Sequence, residues 1–266
     1  MEAKELIRAG KLGEARTLLV SEVKARPADP GVRTLLFQVM ALLGEWDKAE
    51  RQLDVLAAQD VTTDIGVQTY KNILSTERQR CEVFELKRRP SLLPSTPSYL
   101  ELVFALWECL NRGDIDEAGE LQYKIDAARP TISGRCNDRP FTGFCDTDAY
   151  LAPFFEAMVH DRYVWIPMEY VRELLLPEPK TLLDTIWAPA HVTTWEGLTI
   201  QCTLPVMYPL SFAHRADQVK MGRITEWAHI GGLFSRGVGQ HVFQVGDDEI
   251  GLLEIREIRF ALAEGP

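Results

Sequence analysis

Two textures divide the chain. Up to about residue 130, apolar residues recur three and four apart among charged ones, the spacing of amphipathic helices. Beyond Arg135 they fall in short runs split by turn residues, the spacing of strands. The first texture predicts helices at 2–9, 12–26, 31–43, 46–59, 64–87, 97–111 and 114–128. The second predicts strands at 154–159, 163–166, 191–195, 198–204, 241–245 and 253–260. His160-Asp161-Arg162, Glu196-Gly197 and Gly246-Asp247-Asp248 supply turns between them, a spacing of antiparallel hairpins and not of βαβ units. In the stretch 162–190, Tyr163 to Ile166 opens as a strand and Pro167 stops it. Leu182 to Trp187 then predicts one or two helical turns before Pro189. Segment 211–240, with five glycines, reads as an irregular loop holding a short helix.

Within the helical half one pattern occurs three times, as Gly10…Leu12…Ala15, Gly44…Trp46…Ala49 and Gly113…Ile115…Ala118. The steps are 34 and 69 residues, one period and close to two. A fixed period near 34 marks a repeat of helix pairs and resembles the tetratricopeptide repeat. In each copy the glycine permits a left-handed helix end. The large apolar residue closes the corner, and the alanine allows close helix packing. Pro27 and Pro130 stand twelve residues past the first and third alanines, where a proline stops the helix; the second copy has Val61 there. Segment 64–87 lacks the pattern and predicts one longer helix in place of a repeat. Lys87-Arg88-Arg89 reads as positive charge at that helix's C-terminal end. Pro90, Pro94 and Pro97 make 89–96 an ordered loop or hinge. The expected architecture is α+β: a tetratricopeptide-like helical domain at 1–132, then a mainly antiparallel α+β domain at 133–266.

Composition narrows the function. Hydrophobic residues make up 46% and charged ones 26%, as in a globular protein with a core to bury. No run of about 18 apolar residues exists, and the charged N-terminus has no signal-peptide core. A cytoplasmic home is the expectation. The net charge is −10, with −3 in residues 1–130 and −7 in residues 131–266. That balance disfavours nucleic acid and anionic lipid and favours a basic face on a partner. The five cysteines form no CxxC pair, so neither a disulfide framework nor a zinc site is expected.

Local catalytic signatures are absent: no nucleophile elbow, no phosphate loop and no paired histidines at helical metal spacing. Asp146-Thr147-Asp148 places two carboxylates two apart, which reads first as a solvated turn and second as a cation site. Cys145 with a distant histidine is the remaining nucleophile candidate. Neither a cofactor, a metal nor a small-molecule substrate is expected.

Several ordered segments carry a resemblance. Arg139-Pro-Phe-Thr-Gly-Phe144, Tyr163-Val-Trp-Ile-Pro167, Leu183-Asp-Thr-Ile-Trp-Ala-Pro-Ala190, Leu204-Pro-Val-Met-Tyr-Pro209, Gly222-Arg-Ile-Thr-Glu-Trp227 and Leu253-Glu-Ile-Arg-Glu-Ile258 resemble the ImpE family, also called SciE or TagJ. The resemblance implies an accessory protein of the bacterial type VI secretion system, a cytoplasmic adaptor and not an enzyme. Its implied partners are the N-terminal helical segment of the small sheath subunit and the sheath-disassembling AAA+ ATPase, ClpV. No catalytic residues come with it. The alternatives are a general repeat scaffold or co-chaperone, and a small hydrolase built on Cys145 or the Asp146/Asp148 pair. Helix register places Gln38, Trp107 and Asn111 on the inner face of the repeat as candidate partner-binding residues. Trp187, His191 and Trp195 form the competing candidate site in the second half.

Overall fold

Three glycines set the course of the first half. In the computed structural model, which describes residues 2–60 and 64–261, the helices are α1 (Ala3–Arg8), α2 (Leu12–Ala25), α3 (Pro30–Leu42), α4 (Trp46–Gln59), α5 (Asp64–Phe84), α6 (Leu100–Arg112) and α7 (Ile115–Ala128). Gly10, Gly44 and Gly113 end α1, α3 and α6 with φ of 71°, 68° and 76°. After each, a backbone N–H reaches back five residues: Lys11 to Leu6, Glu45 to Met40 and Asp114 to Cys109, all at 2.9 Å. A left-handed glycine with that bond is the Schellman helix end, and here it occurs three times in register. Ala15, Ala49 and Ala118 are each fully buried one turn into the following helix. Val61 lies outside the described residues.

Helix α5 replaces a repeat, as its sequence predicts, but stops at Phe84, three residues early. Leu86 turns left-handed (φ 58°), so Lys87, Arg88 and Arg89 stand beyond the helix. Each has a carboxylate partner, Glu85, Glu82 and Glu101 respectively.

The rest of the chain builds β1 (Ser91–Leu92), β2 (Ser133–Cys136), β3 (Arg139–Thr142), β4 (Phe144–Asp146), β5 (Phe154–Val159), β6 (Arg162–Pro167), β7 (Val171–Leu175), β8 (Trp187–Thr194), β9 (Thr199–Pro205), the short helix α8 (Asp217–Lys220), β10 (Glu226–Gly231), β11 (Phe234–Val238), β12 (Val242–Val245), β13 (Asp248–Gly251) and β14 (Glu257–Ala261). Nine strands form one sheet in the order β1-β6-β5-β9-β8-β7-β14-β2-β3. Every pairing in it is antiparallel except β1 with β6. Strands β13-β12-β4 form a second sheet, and β10-β11 a separate hairpin.

The structure has more strand than the apolar runs predict. Hairpin β2–β3 is mostly solvated, so its alternation is weak; its turn, Asn137-Asp138, has both φ positive, the primed-turn geometry. Hairpin β10–β11 occupies part of the predicted irregular loop; Gly231 pairs with Phe234, and Gly232-Leu233 is its turn. The expected helical turn is present at Leu183–Thr185, but strand β8 begins at Trp187 and runs through Pro189, where a stop was expected. Strand β7 pairs with β8 only from His191 onward. Pro189 therefore lies where the strand has a ladder partner on one side only, an edge position that tolerates proline. The proline-rich loop 89–96 contributes β1, paired to β6 at Ser91↔Val164 and Leu92↔Trp165.

Two apolar cores hold the layers, and both draw on residues before and after position 132. The first joins Leu12, Phe37 and Leu74 to Phe155, Val192 and Ile258. The second joins Val83, Phe104 and Trp107 to Tyr150, Trp165 and Phe234.

Segment 211–232 runs along the repeat corners. At the first, the Asp217 carboxylate accepts the Leu12 N–H at 2.8 Å, supplying a helix cap from across the chain; Arg223 donates to the Arg8 carbonyl at 2.8 Å. At the second, Phe212 packs edge-on to Trp46 with ring centres 4.8 Å apart. A Cβ on Gly44 would stand 2.3 Å from the Phe212 ring. At the third, the hairpin turn rests on Ile115, 2.8 Å from where a Gly231 Cβ would be. Ala118→Leu, which forces three extra heavy atoms into a closed corner, should destabilise the protein by about 1–3 kcal/mol. An unchanged urea midpoint for that variant would contradict the corner packing.

Candidate functional site

The buried charges gather in one place. Glu156 is the lone charged residue of the fully buried strand β5. Its carboxylate takes Arg80 Nε of α5 at 2.7 Å, with Arg80 Nη2 on its other oxygen. Arg80 Nη2 also donates to the Met207 carbonyl at 2.6 Å. His241 meets the same Glu156 oxygen as Arg80 Nη2, with its Nε2 2.9 Å from that oxygen and 3.4 Å from Nη2, and its Nδ1 lies 2.7 Å from Asp146. Tyr163 donates to Glu156, and Tyr208 donates to Asp146 at 2.7 Å. Trp187 donates its indole N–H to Glu77, one helical turn before Arg80, at 2.8 Å. All four members of the chain Arg80–Glu156–His241–Asp146 are buried.

The charge states follow from the geometry. With a carboxylate on each ring nitrogen, His241 must donate from both, so it is an imidazolium. Burial by itself would lower its pKa, but Asp146 and Glu156 outweigh burial and raise it to about 9. Burial raises Glu156, but Arg80 and then His241 outweigh it and hold the carboxyl at about 2. Two cations thus face two anions. The neighbouring Asp148 is raised to about 7 by burial and then by Asp146, against the N–H groups of Gly237 and Tyr150. Those two N–H bonds, each 2.8 Å, show what Asp148 does: it ties the loop after β4 to β11.

An Asp–His pair is also the orienting half of a hydrolase triad. Here the outer ring nitrogen meets Glu156 where a nucleophile would sit. The cavity beside His241 and Asp146 holds about 10 Å³, at the lower limit for a single water. The Asp146 and Asp148 oxygens are taken up by His241, Tyr208 and backbone N–H groups. Burial raises the Cys145 thiol pKa, which disfavours the reactive thiolate. The arrangement is suited to locking α5, β4, β5 and β12 together.

The candidate partner-binding residues lie apart. Trp107 is fully buried, packed on Tyr150 and Trp165 and donating to the Tyr150 carbonyl at 2.8 Å. It is a core residue and offers no surface to a partner. The inner face it was placed on is filled by the chain's own second half. Asn111 accepts the Tyr150 hydroxyl at 2.7 Å, and Gln38 is half-buried on α3. Trp187 is buried at the start of β8 and Trp195 half-buried just past its end. Eight residues of strand span roughly 26 Å, so these two do not make one patch. His191 lies between them, on a cleft of about 370 Å³ that also holds His160 and Asn72. Arg80, Glu156 and His241 went unassigned as a group; a glutamate within the apolar run Phe154–Val159 was the one visible sign.

Comparison with known proteins decides the family. The type VI secretion system accessory component TagJ of Pseudomonas aeruginosa is 33% identical over 260 residues, covering 98% of this chain and 91% of that one. The chain belongs to the ImpE family. The profile described as ImpE protein matches residues 138–259, and a tetratricopeptide repeat profile matches residues 6–68. The crystal structure of protein VPA1032 from Vibrio parahaemolyticus shares the fold, with a TM-score of 0.88, 97% of each chain covered and 19% identity. The ImpE match includes Asp146, Glu156 and His241; Arg80 lies outside both profiles. No described helix is long and apolar enough to cross a membrane.

Two outcomes are expected of the network. Glu156→Gln removes the carboxylate that Arg80 and His241 share, leaving Arg80 with Glu77 at 3.5 Å and His241 with Asp146, and should cost about 3–5 kcal/mol, read as a lower urea midpoint at unchanged slope. The pKa of His241 is raised on folding, so its contribution is complete below pH 6.5 and is lost as pH rises through about 9. The urea midpoint should therefore fall across that window, and His241→Gln should flatten the fall. An equal slope in both proteins would contradict the imidazolium.

Proposed function

We propose that this chain is a non-enzymatic adaptor of type VI secretion that acts in the cytoplasm. It binds the N-terminal helical segment of the small sheath subunit and links it to the ATPase ClpV. The observation that carries this reading is the match to the type VI accessory component along nearly the whole chain. Two structural features support it. The tetratricopeptide-like corners are those of folds that work by holding other proteins. The buried ion chain of Arg80, Glu156, His241 and Asp146 has its charges paired with one another, with a cavity of only about 10 Å³ beside His241, and is spent on the chain's own packing.

The test uses the intact protein, because both cores cross between its halves. Tagged full-length protein from cells with active type VI secretion should recover both sheath subunits. A synthetic peptide of the small subunit's N-terminal segment should bind the purified chain directly. ClpV should be recovered as well, and less of it from cells lacking the small sheath subunit. A purified chain that ignores the peptide at high micromolar concentration would sink the sheath reading.

A further inference from the structure

An apolar opening lies between α7 and the β10–β11 hairpin. It is a groove of about 400 Å³, lined by Ile115, Gly119 and Gln122 of the helix, by Leu233 and Phe234 of the hairpin, and by Ala149. Ile115, Gly119 and Gln122 are spaced four and three apart, so they share one face of α7. The hairpin turn packs on Ile115 and closes one end. Leu233, the second residue of the turn, is fully exposed, an apolar side chain held out at the groove's lip with nothing over it.

Gly119 is the informative residue. A glycine inside a helix costs about 1 kcal/mol relative to alanine. The fold does not require one here. Gly119 has no left-handed φ, and a Cβ built on it meets nothing within 4 Å. What the missing side chain does is leave the groove open. The rim adds a second sign. Asp116 and Glu120, exposed and four apart on α7, have no ion pair among the described residues. Like charges at that spacing oppose each other. Glu120 lies past the first turn, where the helix dipole would favour it. The polar groups in the groove offer a small ligand little: Gln122 bonds to Asp126, and Asp146 and Asp148 are engaged below.

We infer that this groove, and not the inner face of the repeat, receives the partner, as an amphipathic helix. Its apolar ridge seats over Gly119 against Leu233, and its basic residues face Asp116 and Glu120, the helix-in-groove mode with acidic-to-basic complementarity. The inference rests on the sheath-subunit reading and names the site for it.

The probe is a fluorescent peptide of the small sheath subunit's N-terminal segment, titrated with full-length protein by anisotropy. Leu233→Asp, at a fully exposed position, and Gly119→Trp, which fills the groove, should each weaken binding about tenfold or more. Asp116→Lys with Glu120→Lys should weaken it further at low salt than at high salt. Leu198→Asp, an exposed apolar residue at the β8–β9 turn, should leave it unchanged. Far-UV circular dichroism confirms that the variants fold. Wild-type binding that survives both Leu233→Asp and Gly119→Trp within twofold overturns the groove and leaves the adaptor reading standing. A wild-type protein that does not bind the peptide overturns the adaptor reading, and the groove assignment with it.

Discussion

One buried ion chain holds the layers in register. Arg80 comes from a helix, Glu156 from strand β5 of the large sheet, Asp146 from the end of a strand in the small sheet, and His241 from the position just before its neighbouring strand β12. None can be solvated where it stands, so each depends on the other three. Apolar packing tolerates small slides of one layer over another. Ion pairs at 2.7 to 2.9 Å do not, because a displaced charge is left in a medium that cannot screen it. The apolar cores supply most of the cohesion, and the ions select one arrangement of the layers from the many that bury similar area.

That arrangement uses up the surface that repeats of this kind ordinarily keep free. The helical half is packed against Trp165, Tyr150 and Trp187 from the chain's own second half, with Phe212 at its second corner. The partner site must therefore be sought on faces that the fusion of the two halves creates. The opening beside α7 is one of them, since it has one wall from each half.

The sequence carried the local rules well. Glycine, apolar residue and alanine at fixed spacing foretell three left-handed helix ends, because each depends only on residues within one turn. Strands built from apolar runs, such as 154–159 and 163–166, were visible for the same reason. The hairpins at 133–142 and 226–238 were not, since they are solvated and their alternation is faint; the Asn137-Asp138 turn and the glycine pair at the second turn were the better guide. Trp107 shows a different limit. Helix register tells which face a side chain is on but not which distant segment covers that face. The ion chain failed to show because its members lie far apart in sequence, and three of them have ordinary neighbours. Only Glu156, alone among apolar residues, was out of place where it stood.

The corner contacts have a consequence for how such a protein can change over generations. An open repeat array lengthens or shortens by duplicating or losing a unit, since each unit touches only its neighbours. Here Asp217, Phe212 and the Gly231-Gly232 pair at the hairpin's tip meet the first, second and third corners from a single stretch of chain. That stretch acts as a template with three fixed teeth. An extra helix pair would put the corners out of step with it, and a lost one would leave a tooth without its slot. The array has thereby given up the freedom to grow, and variation is left to the faces that no tooth touches.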